Sequence, residues 1–589
     1  MPRMVVWNEY NLAMENSAYL PLVSGQLSAY AWTHPTIRDA YEVAPFQFRH
    51  RPVADILAEY PPTVDVAAFS VSLWNEQLSL SVARAVRLRF PHALIVFGGC
   101  QIPFDARAYL AAHPFLDLCA RGEGEQTFAA ILEARAAGHS YQHIPGLTVR
   151  TGDGAVVTPD GTGPKDLDVY PSPYLSNLYR ELLETHPELG WQGILETNRG
   201  CPFSCAFCYW GNALNQKYRL FSVGRVRNIL GWMAHHKIRY LFNADSNFGM
   251  LRQDETVLED LIACHRATGY PEKFRTCWGK NTTGKIYVLA KRLHLEGLSK
   301  GLTLSRQSQD LTTLANVHRK NIALDSYAAL QQQAAADGMP VYSELILGMP
   351  GETEESWRKG LDEVVSAGLE SQVFVYHCEI LPNTAMADPA YLAQHGIVTQ
   401  RVPLQPIHCA VEEDVVVEYD TISVGTATML PDAWRRCAVL SWAVQLLQGL
   451  ALCRYPLLWF HKGLGRPVLD FIQFCLTHAT GNLGQEFERW ERAAEGIQAG
   501  QGRAVAVDGL WWEQEEASFF RLLATPTLLH RELEQLGYAY LSGCPEQDAW
   551  PLLMERQASL WPTELPRAVL WGRKNNAVLL PWRWEETPQ

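Results

Sequence analysis

Three cysteines at positions 201, 205 and 208, in the segment ETNRGCPFSCAFCYWG, narrow the possible folds of this 589-residue chain more than any other feature. Thiolates are soft ligands suited to iron–sulfur chemistry. Three of them close three irons of a cubane and leave the fourth iron open to a substrate. Gly200 before the first cysteine and Pro202-Phe203 after it favour a loop that wraps the cluster. Tetrahedral zinc would need a fourth ligand, and C-x3-C-x2-C is not the usual zinc spacing.

The loop follows a strand candidate, Gly193–Thr197, and opens a run of alternating strands and helices. Further strand candidates are Tyr240–Ala244, Gly301–Ser305, Tyr342–Leu347 and Gln372–Cys378. Over about 200 residues this rhythm predicts a full or partial β/α barrel, whose chemistry sits on the loops after the strands. A second α/β unit precedes it, with strand candidates Val64–Ser70, Leu94–Phe97 and Leu116–Ala120 and a helix over Glu76–Arg89. A parallel sheet of this kind binds ligands at the carboxyl ends of its strands. The predicted segments are 1–150, a linker over 151–190 rich in GDG and DGTGP turn chemistry, 191–400, and 401–589. The last is mainly helical and crowded with tryptophan (Trp434, Trp442, Trp459, Trp490, Trp511, Trp512, Trp550, Trp561, Trp571, Trp582 and Trp584), which we read as packing residues.

A formal charge of −13 leaves no basic excess for nucleic acid. The apolar run Ala438–Leu452 carries Gln445 and Gln448 and is short for a bilayer, so we expect a core helix and no membrane partner. The first residues lack the pattern of a signal peptide. With 13 scattered cysteines, this predicts a cytoplasmic protein with free thiols.

The cysteine triad after the first barrel strand resembles the signature of the radical S-adenosylmethionine (SAM) superfamily. Further motifs follow in family order. FNADSNFG (Phe242–Gly249) resembles the second-strand end, LTLSRQSQD (Leu302–Asp310) the G-x-Q-S strand end, and SELILGMPGET (Ser343–Thr353) the fifth-strand motif. EILPNTAM (Glu379–Met386) resembles P-G-T-P-(L/M), with Asn383 where glycine is usual. The resemblance covers about residues 190–390. It implies a [4Fe-4S] cluster on Cys201, Cys205 and Cys208, with SAM on the open iron. It places Phe207 by the adenine, Asp245 at the SAM amino group and Ser305 and Gln307 near the ribose. Leu347 and Gly348 complete the SAM contacts, glycine letting the backbone come close.

The first α/β unit resembles the cobalamin-binding domain of one radical SAM subgroup, through YLPLVSGQLSAY (Tyr19–Tyr30), AAFSVSLWNEQ (Ala67–Gln77), IVFGGCQIP (Ile95–Pro103) and RGEGEQTF (Arg121–Phe128). The resemblance implies cobalamin contacts from three strand-end loops. These are Ser72, Leu73, Trp74 and Asn75; then Gly98, Gly99, Cys100 and Gln101; then Gly122, Glu123, Gly124 and Glu125. D-x-H-x-x-G, the motif that offers histidine to cobalt, is missing, and Trp74 stands where an indole would exclude water from the lower corrin face. C-Y-W-G (Cys208–Gly211) is similar to the C-x-W-G of cobalamin-dependent radical SAM methyltransferases, carbapenem-methylating ones included, which brings Tyr209 and Trp210 near the substrate. The fold class expected is therefore α/β: a Rossmann-like cobalamin domain, a partial TIM barrel and a helical cap.

The activity implied is methylation of an unactivated sp3 carbon in a small-molecule, natural-product or peptide substrate, with an electron donor such as flavodoxin or ferredoxin. A non-methylating rearrangement, cyclisation or oxidation is the alternative, and a sensor without turnover a third reading. His377, His408 and His461 receive no role.

Overall fold

The computed structural model describes residues 3–562 except 12–15, 213–216, 282–283, 300, 370 and 413. Trp571, Trp582 and Trp584 lie outside the described residues. The chain divides into two compact units. One runs to Cys277 and takes in Leu381–Asp388 and Glu412–Asp420; the other holds Trp278–Ile380, Pro389–Val411 and the chain from Thr421 onward.

In the first unit, β1 (Arg3–Asn11), β3 (Tyr41–Val43), β5 (Val66–Ser70), β6 (Leu94–Gly98) and β7 (Leu118–Ala120) run parallel in the order β3-β1-β5-β6-β7. A short β4 (Gln47–Arg49) also pairs with β1. Both faces are buried. Val6, Ala67, Phe69, Ile95 and Phe97 belong to one core, and Val5, Trp7, Val66, Ala68, Leu94 and Val96 to the other. A parallel sheet needs this double cover, and it explains the near-continuous apolar runs of β5 and β6. The helix over Glu76–Arg89 forms as expected.

The predicted linker is partly structured. Its GDG is the turn of an antiparallel hairpin, β8 (Leu147–Thr151) with β9 (Gly154–Val157), which extends the sheet beyond β7. A second sheet, in the order β14-β13-β10-β2, is built from β2 (Ser17–Tyr19), β10 (Gly190–Leu195), β13 (Tyr240–Phe248) and β14 (Lys273–Trp278). β2 pairs in parallel with β10, so the amino-terminal segment and the first strands of the second βα run share a sheet.

The second unit holds the sheet β15 (Leu302–Gln307), β16 (Val341–Leu347) and β17 (Gln372–His377), all parallel. The expected barrel strands thus fall into two sheets. Around this second sheet lies one large apolar core, which takes in Leu345, Leu361, Val373 and most of the carboxy-terminal tryptophans. Trp434, Trp490 and Trp550 are fully buried, Trp442, Trp459, Trp512 and Trp561 nearly so. Among the described residues no single helix is long and apolar enough to cross a membrane. The run at Ala438–Leu452 is not one helix: Pro431–Val444 is α-helical, Gln445–Gly449 closes as a π turn, and Ala451 turns left-handed. Gln448 Nε2 donates to the carbonyls of Leu369 and Ser371 at 2.9 and 2.6 Å, which satisfies the donor side of a buried amide.

Candidate cofactor and active site

The cysteine loop is closed at its base by two short strands. β11 (Asn198–Arg199) pairs antiparallel with β12 (Arg219–Leu220). Gly200 enters the loop at φ +114°, a left-handed conformation that suits glycine. Cys201 and Cys205 are buried and Cys208 is partly so. A turn draws the last two together, with the amide of Cys208 3.0 Å from the carbonyl of Cys205. Among the described residues no three His, Cys, Asp or Glu side chains gather as one metal ion requires. A cubane places each thiolate on its own iron and does not ask for that convergence.

β13 supports this loop with alternate side chains. Asn243, Asp245 and Asn247 are all buried, as the two-residue period of a strand dictates. Asp245 accepts from the amides of Thr197 and Asn198 at 2.8 and 3.2 Å and from the Thr197 hydroxyl at 2.5 Å. Asn243 donates to it at 3.1 Å. Burial raises its pKa to about 6, against the lowering by these hydrogen bonds. Its carboxylate is therefore engaged by the chain, and Asp245 anchors the entry to the cysteine loop where a SAM contact was expected. Asn247 Nδ2 lies 3.3 Å from Cys201 Sγ, a contact that nothing in the sequence announced.

The third strand-end loop also acts inward. Arg199 donates to Glu125 at 2.7 Å and to Glu196 at 3.2 Å, and Arg219 pairs with Glu123. Glu123 and Glu125, expected at cobalamin, hold the base of the cysteine loop, because buried carboxylates need cationic partners. Asn75 is buried as well; it accepts from Ser72 N at 2.8 Å and donates to the Tyr10 carbonyl at 2.9 Å, which shapes the loop after β5. Trp74, on the same loop, is 38% exposed and Trp210 is 44% exposed. Tyr209 and Phe207 are partly buried. Cys100 lies 3.7 Å from the Ser72 hydroxyl.

Three of the glycines sit where a side chain would clash with the chain itself. A Cβ on Gly99 would meet the Val71 carbonyl at 2.3 Å, one on Gly124 the Leu27 side chain at 2.9 Å, and one on Gly348 the Ser423 carbonyl at 3.1 Å. At Gly98 a Cβ would make only ordinary contact, 3.6 Å from Ala120. Gly122 (φ +81°) lines a cleft of about 870 Å³ with Arg121, Glu123, Phe104, Thr162, Gly163, Lys165 and Tyr218. Gln101 donates to Glu76 at 3.2 Å.

Asn383 stands at φ +63°, the left-handed conformation for which the family motif uses glycine. Its side chain accepts from Phe104 N at 2.8 Å and donates to the Ile102 carbonyl at 2.9 Å. Three residues on, Met386 N reaches the Ala206 carbonyl in the cysteine loop at 3.0 Å. Segment Leu381–Asp388 therefore fastens the loop after β6 to the cysteine loop.

In the second unit, the Ser305 hydroxyl donates to Glu344 at 2.5 Å. Gln307, at the end of β15, is left-handed (φ +66°), and its buried Oε1 meets no hydrogen-bond donor. An unmet buried carbonyl at a strand end is the feature expected where a ligand binds. Leu347 is wholly buried in the core, and its carbonyl accepts from Cys378 N at 2.9 Å.

These features define an α/β protein with three main sheets and a buried three-cysteine loop. No protein-family model matches the chain. It is 34% identical over 475 residues to the cobalamin-dependent radical SAM methyltransferase TokK of Streptomyces tokunonensis, covering 80% of this chain and 70% of that one. It is 35% identical over 450 residues to the 2-(S-pantetheinyl)-carbapenam-3-carboxylate methyltransferase of Streptantibioticus cattleyicolor, covering 76% and 66%. In fold it is similar to TsrM from Kitasatospora setae, a radical SAM methyltransferase solved with cobalamin and a [4Fe-4S] cluster (TM-score 0.57, 15% identity, 85% of this chain and 100% of that one). It is likewise similar to the cobalamin-dependent radical enzyme OxsB (TM-score 0.57, 13% identity, 95% and 84%). The chain belongs to the cobalamin-dependent radical SAM methyltransferases.

Proposed function

We propose that this chain methylates an unactivated sp3 carbon of a natural-product, peptide or other small-molecule substrate. When bound, the cluster with SAM supplies a 5′-deoxyadenosyl radical and cobalamin supplies the methyl group; the chain must hold, orient and dry them. The observation that carries the reading is the loop 200–208, which buries two thiols and shows a third at a turn, with its base clamped by paired Arg199 and Arg219.

Cys201, Cys205 and Cys208 would hold the cluster. Its electron would come from an external donor of the flavodoxin or ferredoxin class. The segment 1–150, with the cleft beside Gly122 and the exposed indole of Trp74, would hold cobalamin without a cobalt-binding histidine. Ser72, Leu73, Gly98 and Cys100 belong to the same loops. The cleft's volume and its mix of glycine, aromatic and charged walls fit a large amide-rimmed macrocycle or its tail. Segment 191–400 would carry the SAM chemistry, and Gln307 is the second unit's candidate contact to SAM. Tyr209 and Trp210 would meet the substrate.

Turnover tests this. A methylated product should appear with about one S-adenosylhomocysteine and one 5′-deoxyadenosine each, since the scheme uses two SAM molecules. Deuterium from the target carbon should enter 5′-deoxyadenosine. Product with S-adenosylhomocysteine alone would mean polar transfer; deoxyadenosine without methylation would mean a rearrangement or oxidation. Replacing the three cysteines by alanine should abolish iron binding and both products.

A further inference from the structure

We propose that Asn247 sets the electron affinity of the cluster through its hydrogen bond to Cys201, as a positioning residue for the reductive step. The inference rests on the reading that Cys201, Cys205 and Cys208 hold a [4Fe-4S] cluster.

Proton inventory gives the bond its direction. A thiolate has no proton to donate, whereas the Asn247 amide has two. Nδ2 lies 3.3 Å from Cys201 Sγ and 3.0 Å from the Ser246 hydroxyl. Ser246 gives its own single proton to the Gly200 carbonyl at 2.8 Å. The chain Asn247 to Ser246 to Gly200 is therefore consistent only if Asn247 donates at both places, once to oxygen and once to sulfur.

The setting makes the bond matter. Asn247 is 1% exposed and Cys201 likewise 1%. In so dry a place a donor on sulfur is weakly screened. One electron from the external donor adds one negative charge to the cluster. A donor on a ligand sulfur stabilises the reduced form more than the oxidised form and so raises the potential. The backbone around Cys201 is fixed independently, since Asp245 grips Thr197 and Asn198 and Ser246 grips Gly200. The Asn247 contact to sulfur is thus one of several that act here, and the shape of the loop does not depend on it alone.

The test is a redox titration of the anaerobically reconstituted full chain, followed by electron paramagnetic resonance of the reduced cluster. Asn247→Leu removes the donor at similar volume. At a fixed potential its reduced-to-oxidised ratio should fall about tenfold, a negative shift of about 59 mV for one electron. Asn247→Asp, isosteric but without the N–H and with added charge, should shift further in the same direction, and it serves where the leucine variant fails to load iron. Normal iron and sulfide with an unchanged midpoint in either variant overturns the proposal. A wild-type chain that takes up no cluster overturns the cysteine reading, and this inference with it.

Discussion

The two sheets that share the βα alternation finish their strands in opposite ways. In the first unit the loops are gripped by polar side chains acting on backbone: at β10 and β13 Asp245 on Thr197 and Asn198 and Ser246 on Gly200, and at β6 Asn383 on the loop that follows it. At β15 to β17 the strands rest on an apolar block rich in leucine and tryptophan. The first arrangement places loops by directed bonds of modest net value, each costly to leave unmade. The second stores stability in buried area and close packing, which are not directional. Loop position should therefore fail first in one unit, and global stability in the other.

The largest effect is expected in the apolar block. Trp550 stacks on Phe460 with ring centroids 5.6 Å apart and donates to the Glu534 carbonyl at 3.0 Å. Gly537 packs flat against it: a Cβ there would meet the indole at 1.8 Å. Trp550→Ala should cost about 3–5 kcal/mol, as a large buried aromatic does when truncated. Denaturant unfolding would measure it. A loss below that range would mean the block collapses into the cavity and is softer than its packing implies.

Next is the polar strap. Asn383→Gly keeps the left-handed backbone and loses the side chain's bonds to Phe104 and Ile102, and should cost about 1–2 kcal/mol. Asn383→Ala should be worse by about 1 kcal/mol, because alanine also strains at φ +63°. Equal stability of the two variants would sink the account of why asparagine replaces glycine here. Cobalamin retention should fall in both, while the second unit's tryptophan fluorescence stays unchanged.

What the sequence disclosed follows the same division. The helix Glu76–Arg89 was legible because its apolar spacing is helical and uninterrupted. Strand β1 was not read from RMVVWNEYN, whose residues are buried on both faces and show no alternation. The hairpin β8–β9 was hidden because GDG marks a turn without saying what it joins. At the site, the cysteines announce themselves by spacing. Asp245 stood out as polar at a strand end, but its partners Thr197 and Asn198 lie 48 and 47 residues earlier, and only the fold makes them neighbours. The same holds for Glu123 and Glu125: a motif suggested a ligand, and the structure supplies arginines from another loop. Tryptophan, by contrast, needs no partner of fixed geometry, so composition alone foretold that residues such as Trp434 and Trp490 are buried.

The smallest effect separates the two units by sign. His377, at the end of β17, packs against Trp434 and Trp442 with ring centroids 5.4 and 6.5 Å apart. Burial, helped by the charge of Arg503, lowers its pKa from 6.5 to about 3. Between those values the unfolded chain binds a proton that the folded chain refuses. Stability from this group is therefore complete above pH 6.5 and is lost as pH falls toward 3. At pH 6 the loss is about 0.8 kcal/mol. In the first unit Glu9, buried and bonded to Ser24 N at 2.7 Å, has its pKa raised from 4.5 to about 7. There the folded chain holds the proton more tightly, so stability is present below pH 4.5 and is lost as pH rises through 7. Mild acid should thus loosen the second unit and tighten the first. Hydrogen exchange at pH 7 and pH 6, corrected for intrinsic rates, reads the two units separately. His377→Phe should flatten the acid response of the second unit alone; an unchanged response would mean that His377 is not the group taking up the proton.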